Sequence, residues 1–253
     1  GDPIAQAQAP ALINPLLKQA GSAVRVIGLR VAAAGFAPFV AAMQHVGNLR
    51  GLIVTLPHKP EAFRLATHTS DLAQIGAVAN ALRWDAQGRL HGDIFDGLGL
   101  AHALARQAGG AQPSAVYLHG AGGVGAAIAA ALASQGVRNW RIHDSDAARA
   151  QALAARLVRR FGSQADVVPA GQFGDAGLLV NASPQGMHEG DALPFSPPAE
   201  GGRTVADVVM REGDTPLLRA AAASGHRVVT GQALLAGQVP LLLDFFGVTG
   251  VQA

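Results

Sequence analysis

Tyr117-Leu118-His119-Gly120-Ala121-Gly122-Gly123-Val124-Gly125 is the stretch on which the fold turns. It places G-x-G-x-x-G after an apolar run, 115–119, and at the start of an Ala-rich stretch of helical composition, 124–135. At a strand–turn–helix junction these glycines have separate tasks. Gly120 permits a tight turn, Gly122 lets a pyrophosphate approach the backbone, and Gly125 lets helix lie on strand. The free N–H groups and the dipole of a helix start favour an anion there. A glycine turn without a ligand would share the motif, so the residues downstream matter. Asp144 stands 19 residues after Gly125, at the end of the next apolar run, 140–143. An acid at that place takes the ribose hydroxyls of an adenine dinucleotide. No Arg occurs at 145–148 to meet a 2′-phosphate, and Asp144-Ser145-Asp146 would repel one. The expected cofactor is therefore NAD in preference to NADP, with Asp144 or Asp146 also capping a helix over 146–161.

Outward from the loop, short β-branched runs alternate with Ala/Leu-rich stretches, which predicts α/β architecture with parallel strands. Strands are expected at 115–119, 140–143, 178–180, 204–208 and 227–229, with a helix near 215–224 that has Pro216 in its first turn. In the first half, helices are expected at 9–20, 36–46 and 97–108, and strands at 24–29 and 52–55. Runs 78–84 and 89–94 flank Asp85-Ala86-Gln87-Gly88, a hairpin signal. Gly109-Gly110-Ala111-Gln112-Pro113 reads as an interdomain break. The expected division is a substrate domain, 1–98 plus the apolar C-terminal segment 232–253, and a doubly wound Rossmann-type dinucleotide domain, 99–231.

Composition excludes several classes. With 49% hydrophobic and 14% charged residues the chain is not disordered, and no apolar run reaches the ~18 residues of a membrane span. The net charge is +2, and the one dense basic spot, Arg156, Arg159 and Arg160, reads as a solvated helix face, not a nucleic-acid site. No cysteine is present, so thiolate chemistry and disulfides are excluded. The histidines are scattered, and His58 has no second His or carboxylate at ligand spacing. It reads as a loop residue, and no metal site is expected.

Five further features share one order. Gly1-Asp2-Pro3-Ile4-Ala5 opens the chain, and Val54-Thr55-Leu56-Pro57-His58-Lys59 ends a strand. Asn80 precedes Gly92-Asp93-Ile94-Phe95-Asp96-Gly97. Asn181-Ala182-Ser183-Pro184-Gln185-Gly186-Met187 and Gly231…Gln238 follow in the second half. With the glycine loop, this set resembles the shikimate/quinate dehydrogenase family over essentially the whole chain. The resemblance implies a cytoplasmic oxidoreductase of aromatic amino acid biosynthesis, a monomer or homodimer, acting on a hydroxylated ring carboxylate. Lys59 and Asp96 match the family's catalytic pair. Thr55, Asn80 and Gln238 match its substrate-binding positions. Gly120, Gly122, Gly123, Val124, Gly125, Asp144, Asn181, Ser183, Pro184, Gly186, Met187 and Gly231 match the cofactor side, the 181–187 loop closing over the dinucleotide.

The chemistry asks for these residue types. Oxidising an alcohol by hydride transfer needs a base for the hydroxyl proton. A lysine serves where its setting lowers its pKa, whereas arginine stays protonated. The chain has 17 Arg and two Lys, Lys18 and Lys59, and one of the two falls where arginine would fail.

The chain also departs from the family. The family's Ser-x-Ser-Pro, whose hydroxyls bind the substrate carboxylate, is Ala7-Gln8-Ala9-Pro10 here, after Gln6. Two lost hydrogen bonds to a charged group cost about 3–6 kcal/mol, two to four decades of affinity. The family's Asn-Thr before the catalytic Asp is Ile94-Phe95, and its Tyr in the Asp207-Val208-Val209 run is Met210. The expectation is a retained reaction with a changed substrate, less polar or lacking the carboxylate. The family's strand before Gly-x-Pro-Ile is missing from the sequence given, which suggests truncation of the record. Two other readings remain: a dinucleotide-binding sensor or inactive relative, and a different reaction on the same architecture, such as a folate-linked dehydrogenase.

Overall fold

The computed structural model describes residues 1–5, 7–107, 113–188, 190–211 and 213–251. The first half supplies α1 (Ala9–Gln19), α2 (Ala33–Met43), β1 (Leu52–Ile53), α3 (Lys59–Leu65), β2 (His68–Thr69), α4 (Asp71–Gly76), β3 (Ala81–Trp84) and β4 (Leu90–Asp93). Its four strands lie in the order β1-β3-β4-β2, antiparallel except for β2 with β4. The predicted hairpin is β3–β4. The Asp85 carboxylate closes it by accepting from the Gln87 and Arg89 amides at 2.9 Å each, and Gly88 takes a φ of 74°.

The second half supplies α5 (Asp96–Gln107), β5 (Ala115–His119), α6 (Gly123–Ser134), β6 (Asn139–His143), α7 (Ala147–Phe161), β7 (Gln164–Val167), β8 (Leu178–Asn181), β9 (Thr204–Asp207), α8 (Pro216–Ala223), β10 (Arg227–Val229) and α9 (Gly231–Phe245). Six parallel strands form the order β10-β9-β8-β5-β6-β7. Numbered from β5, that is the doubly wound order 3-2-1-4-5-6, read from the other edge. The expected fold class is thus observed. The order in which strands are added reverses between β5 and β8, and the crevice at such a switch point is where α/β sheets bind ligands. Alternation along β5 sends Val116 and Leu118 into one core with Ile128, Leu132, Trp140 and Leu153, and Tyr117 into another with Leu179, Phe195, Val205 and Leu217.

Helix α6 is apolar on every side because it is covered on every side. It lies between the six-stranded sheet and the first domain, where Ala127 packs with Ala73, Val78 and Ile94. Helix α5 continues this seam. A Cβ on Gly97 would collide with the Ala127 carbonyl of α6, and one on Gly99 with the Leu234 carbonyl of α9. A Cβ on Gly237 would in turn collide with Gly99. Three helices therefore meet here backbone to backbone.

The expected strand at 24–29 is not a strand. Its Val26 exchanges both backbone hydrogen bonds with the Asn14 side chain, at 2.8 and 2.9 Å, and Ile27 is 72% exposed. A β-branched run with no neighbouring strand has nothing to pair with. Strand β7 and helices α3 and α4 were not foreseen. β7 is a mostly exposed edge strand, Gln-Ala-Asp-Val, without an apolar run, and α4 begins at a Ser70 cap that accepts from the Ala73 amide. The proposed break at 109–113 falls, except for Pro113, outside the described residues.

Candidate active site

Four side chains from separate elements converge at the seam. Lys59 Nζ donates to Asp96 Oδ2 at 2.6 Å. Asn80 Nδ2 and Gln238 Nε2 donate to Asp96 Oδ1 at 3.2 and 3.1 Å. Asn80 Nδ2 also lies 3.3 Å from Gln238 Oε1, and Asn80 Oδ1 accepts from the Phe95 amide at 3.0 Å. All four are buried, at 7% exposure for Lys59 and Asp96 and 3% for the two amides. Lys59 begins α3, Asp96 begins α5, Gln238 lies midway along α9, and Asn80 sits just before β3. The cluster therefore exists only when both halves of the chain are folded. Thr55 is half-buried at the end of the β1 segment, and its hydroxyl has no hydrogen-bond partner among the described residues.

The start of α3 is fixed by the residue that reads as a loop histidine. His58 is 2% exposed, stacks on Phe36 with ring centroids 4.4 Å apart, and contacts the Val31 carbonyl through Nε2 at 2.7 Å. It is a buried anchor one residue from Lys59. The Lys59 carbonyl accepts from Ala79 at 3.0 Å, which ties α3 to the Asn80 segment.

The glycine loop has the geometry that its spacing implies. Gly120 takes a φ of 102°, and a Cβ on Gly125 would collide with the Gly120 carbonyl. A Cβ on Gly122 would meet nothing, so space lies open above the helix start. Asp146, Thr215 and Thr230 cap α7, α8 and α9, but no side chain caps α6. Its first-turn amides await an acceptor, which suits the pyrophosphate of a dinucleotide. Asp144 accepts from the Ala121 amide at 2.7 Å and from the Asp146 amide at 2.8 Å. A carboxylate has about four lone-pair positions, so capacity for ribose hydroxyls remains.

The strand register aligns His143, His119, Asn181 and Asp207 across the carboxyl edge of the large sheet. Asn181 is fully buried. It donates to Asp207 at 2.9 Å and to the Gln185 carbonyl at 3.1 Å, and accepts from the Ser183 hydroxyl at 2.7 Å. This shapes the 182–187 turn, in which Met187 donates to the Pro184 carbonyl at 3.1 Å and Gly186 takes a φ of 88°. Burial pushes the Asp207 carboxyl up, against its bonds from Thr215, Val209 and Asn181. Gly231 is required by close approach, since a Cβ there would lie 2.8 Å from the Val208 and Val209 carbonyls.

Comparison with known proteins places the chain. A model of the shikimate dehydrogenase substrate binding domain matches residues 1–82. The shikimate dehydrogenase (NADP(+)) of Mesorhizobium japonicum is 36% identical over 252 residues, 98% of this chain and 89% of the relative. The chain belongs to the shikimate dehydrogenase family. It is an oxidoreductase of that family, with the two-domain fold. Shikimate 5-dehydrogenase from Thermus thermophilus, solved with NADP(H) and shikimate, superposes with a TM-score of 0.85 at 30% identity, covering 100% of this chain and 93% of that one. Quinate dehydrogenase from Corynebacterium glutamicum, solved with NAD, gives 0.84 at 27%, covering 98% and 92%.

Within this family member, the departures from the family pattern sort into two kinds. Ile94 and Phe95 sit in apolar packing. Ile94 is 1% exposed in the seam with Ala73 and Ala127, and Phe95 packs edge-on against Phe245 at 5.5 Å. Met210, by contrast, lines a cavity of about 240 Å³ with Gln8, Arg211 and Gln232. Sequence reading singled out Met210 and passed over Arg211 and Gln232, whose adjacency to Gln8 is a tertiary fact. No helix among the described residues is long and apolar enough to cross a membrane. Among them, no three His, Asp or Glu are grouped to hold a metal.

His119 is a second residue the motif reading passed over. It touches the Tyr117 hydroxyl at 3.2 Å and Gln185 Oε1 at 3.3 Å, and its ring lies 4.7 Å from that of His143. Burial, then the neighbouring His143, hold its imidazole below the usual value, against opposing effects of Gln185 and Asp144. Between the ordinary and the lowered value, the unfolded chain binds a proton that the folded chain does not. Its contribution to stability is present above about pH 6.5 and is lost as pH falls. Melting curves should therefore show a steeper fall in Tm from about pH 7 to about pH 5 in the native protein than in His119→Gln. Equal slopes would exclude His119 as a source of acid sensitivity.

Proposed function

We propose that the chain is a dehydrogenase that oxidises the carbinol carbon of a ring or other small hydroxy compound, prefers NAD, and has a substrate pocket altered from that for shikimate. The observation that carries this reading is the buried Lys59–Asp96 pair at 2.6 Å, fixed by amides on two further elements. A dinucleotide-binding sensor has no use for a buried base at the domain seam. The Lys59–Asp96 pair takes the substrate hydroxyl proton, Nζ accepting it as its own hydrogen-bonded proton passes to Asp96 Oδ2. Asp96 holds the lysine through one oxygen, while Asn80 and Gln238 fix the other. Thr55, Asn80 and Gln238 supply hydrogen bonds to substrate hydroxyls. The bound nicotinamide ring supplies the hydride acceptor. The amides from Gly122 to Gly125 receive the pyrophosphate, Gly120 makes the turn, and Asp144 takes the adenosine ribose. Asn181, Ser183, Pro184, Gly186 and Met187 form the turn against the dinucleotide, with Gly231 at its far wall. The substrate domain is 1–98 with 232–253 and the dinucleotide domain 99–231, a division that α5 spans.

Asp144 supports NAD. A 2′-phosphate about 4 Å from its carboxylate would be repelled by about 1 kcal/mol at water-like dielectric and about 4 kcal/mol at an effective value of 20. The expected kcat/KM for NAD exceeds that for NADP by about tenfold or more. The name of the Mesorhizobium relative points to NADP, and equal or better turnover with NADP would overturn this part alone.

The test is nicotinamide reduction across shikimate, quinate and a panel of cyclic alcohols. At least one compound should turn over, and shikimate and quinate should fall below about 10⁴ M⁻¹s⁻¹ in kcat/KM. Binding of NAD with no turnover of any panel member would count against the dehydrogenase reading.

A further inference from the structure

The structure assigns to Arg211 the recognition of a carboxylate on the substrate, so that the substrate is a hydroxy acid held by an arginine where the family holds it by hydroxyls. This inference rests on the dehydrogenase reading above and names the substrate class of that same site. It also reverses the expectation that the changed pocket has become less polar.

The placement comes first. The cavity lined by Gln8, Met210, Arg211 and Gln232 is bounded from both sides of the molecule. Gln8 immediately precedes α1, Met210 and Arg211 follow β9, and Gln232 is the second residue of α9. It is therefore a space between the two domains. The same helix α9 carries Gln238 into the Lys59–Asp96 cluster six residues later, a rise of about 9 Å along the axis. Cavity and reacting pair are thus tied to the same helix, although six residues turn Gln232 and Gln238 to different faces of it.

The chemistry follows from what Arg211 does and does not contact. Its carbonyl accepts from Gln232 Nε2 at 3.3 Å. A Cβ on Gly231 would lie 3.0 Å from Met210 Sδ, so the residue before Arg211 packs closely on the start of α9. The backbone is held, whereas the guanidinium makes no ion pair or hydrogen bond among the described residues. A cation beside an interdomain cavity, with no acidic partner among the described residues, is set for an anionic ligand. The guanidinium fork matches a carboxylate with two parallel N–H···O bonds, and an amide such as Gln8 can add a third donor. One lining cation suits a singly charged carboxylate better than a phosphate dianion. The positions flanking Gln8 are Ala7 and Ala9, which offer no hydroxyl, so this donor set stands in for the missing one.

The experiment compares an acid with its neutral isostere. Shikimate and its methyl ester are titrated calorimetrically into the full chain saturated with NAD, and the same pair is assayed for turnover. The native protein should bind the acid about 10- to 100-fold more tightly than the ester, the range of one charge-assisted pair. Arg211→Ala should bring that ratio to about one, and Arg211→Lys should give an intermediate ratio because it keeps the charge and loses the fork. Arg211→Gln, of similar bulk, guards against a variant that fails to fold. A native ratio near one, binding of neither compound, or a ratio that survives Arg211→Ala would each overturn the inference. The dehydrogenase reading fails separately. In that case the acid preference would persist in binding, but no compound would turn over and Lys59→Ala would change nothing in the assay.

Discussion

Lys59→Ala should lower kcat by about 10²- to 10⁴-fold, the usual span of a positioned proton-transfer group. The affinity for dinucleotide should hold, because Lys59 belongs to the substrate side of the seam. The variant also leaves Asp96, 7% exposed, without its cation, and breaking a buried pair from one side costs about 3–5 kcal/mol. A loss of activity could then come from a loosened site. Lys59→Arg separates the two effects. It keeps a cation beside Asp96 and should recover most of the melting temperature, but a guanidinium stays protonated at any working pH and cannot accept the substrate proton. The expected pattern is an alanine variant that is both less stable and inactive, and an arginine variant that is stable and equally inactive. More than about a tenth of native kcat in the arginine variant would be incompatible with Lys59 as the base.

A second large effect on stability is expected at the glycines of the helix seam. Gly237→Ala drives a methyl into the Gly99 backbone, and Gly99→Ala drives one into the Leu234 carbonyl and the Gln238 side chain. Neither obstacle is the free end of a flexible side chain, so the helices must separate. Overpacking of this kind costs about 1–3 kcal/mol and more where backbone is displaced. At about 2–4 °C per kcal/mol for a chain of this size, Tm should fall by about 2–12 °C. Activity should fall further than stability implies, since α5 carries Asp96 and α9 carries Gln238. A displacement of about 1 Å at reacting groups can cost about 10²-fold. Scanning calorimetry and kcat for both variants check this. A native Tm in either would mean that the helices can accommodate a methyl.

The second half of the chain was far more legible than the first, for physical reasons. Parallel strands buried on both faces appear as uninterrupted apolar runs, and 115–119, 140–143 and 178–180 fell within a residue of the observed strands. The glycine loop fixed their topology. Strand β1 falls within the expected 52–55 but is only two residues long, and β2, also two residues, leaves no periodicity to read. Residues 24–29 have strand composition, but Asn14 occupies the backbone groups of Val26, and no local rule announces that. Site residues divide in the same way. Lys59, Asp96, Asn80 and Gln238 were named by resemblance to a family, and the structure shows them within hydrogen-bonding distance. His58 misled because burial of a histidine by a phenylalanine 22 residues earlier is a tertiary event. Arg211 stood beside a residue already singled out and went unnoticed, because residues 8, 211 and 232 become neighbours only in the fold.

The backbone contacts of α5 with α6 and α9 bear on how the cleft can move. Domains that shear slide on layers of side chains that repack at small cost. At Gly97, Gly99 and Gly237 there is no such layer, so sliding is blocked and rotation is the motion left. Any swing of one sheet relative to the other pivots near this contact, which works as an axle. Asp96 sits one residue from Gly97, almost on the axis, and a pivot hardly displaces what lies on it. Arg211 and the 182–187 turn follow β9 and β8 and take no part in those glycine contacts. Pairs of spin labels on exposed positions should therefore report a change between Gln19 in α1 and Arg219 in α8 when NAD and an acid substrate bind, and none between Ala105 in α5 and Ala236 in α9. The proton-accepting pair would keep its geometry whether the jaws were open or shut, while the grip on substrate and dinucleotide would exist only when they closed.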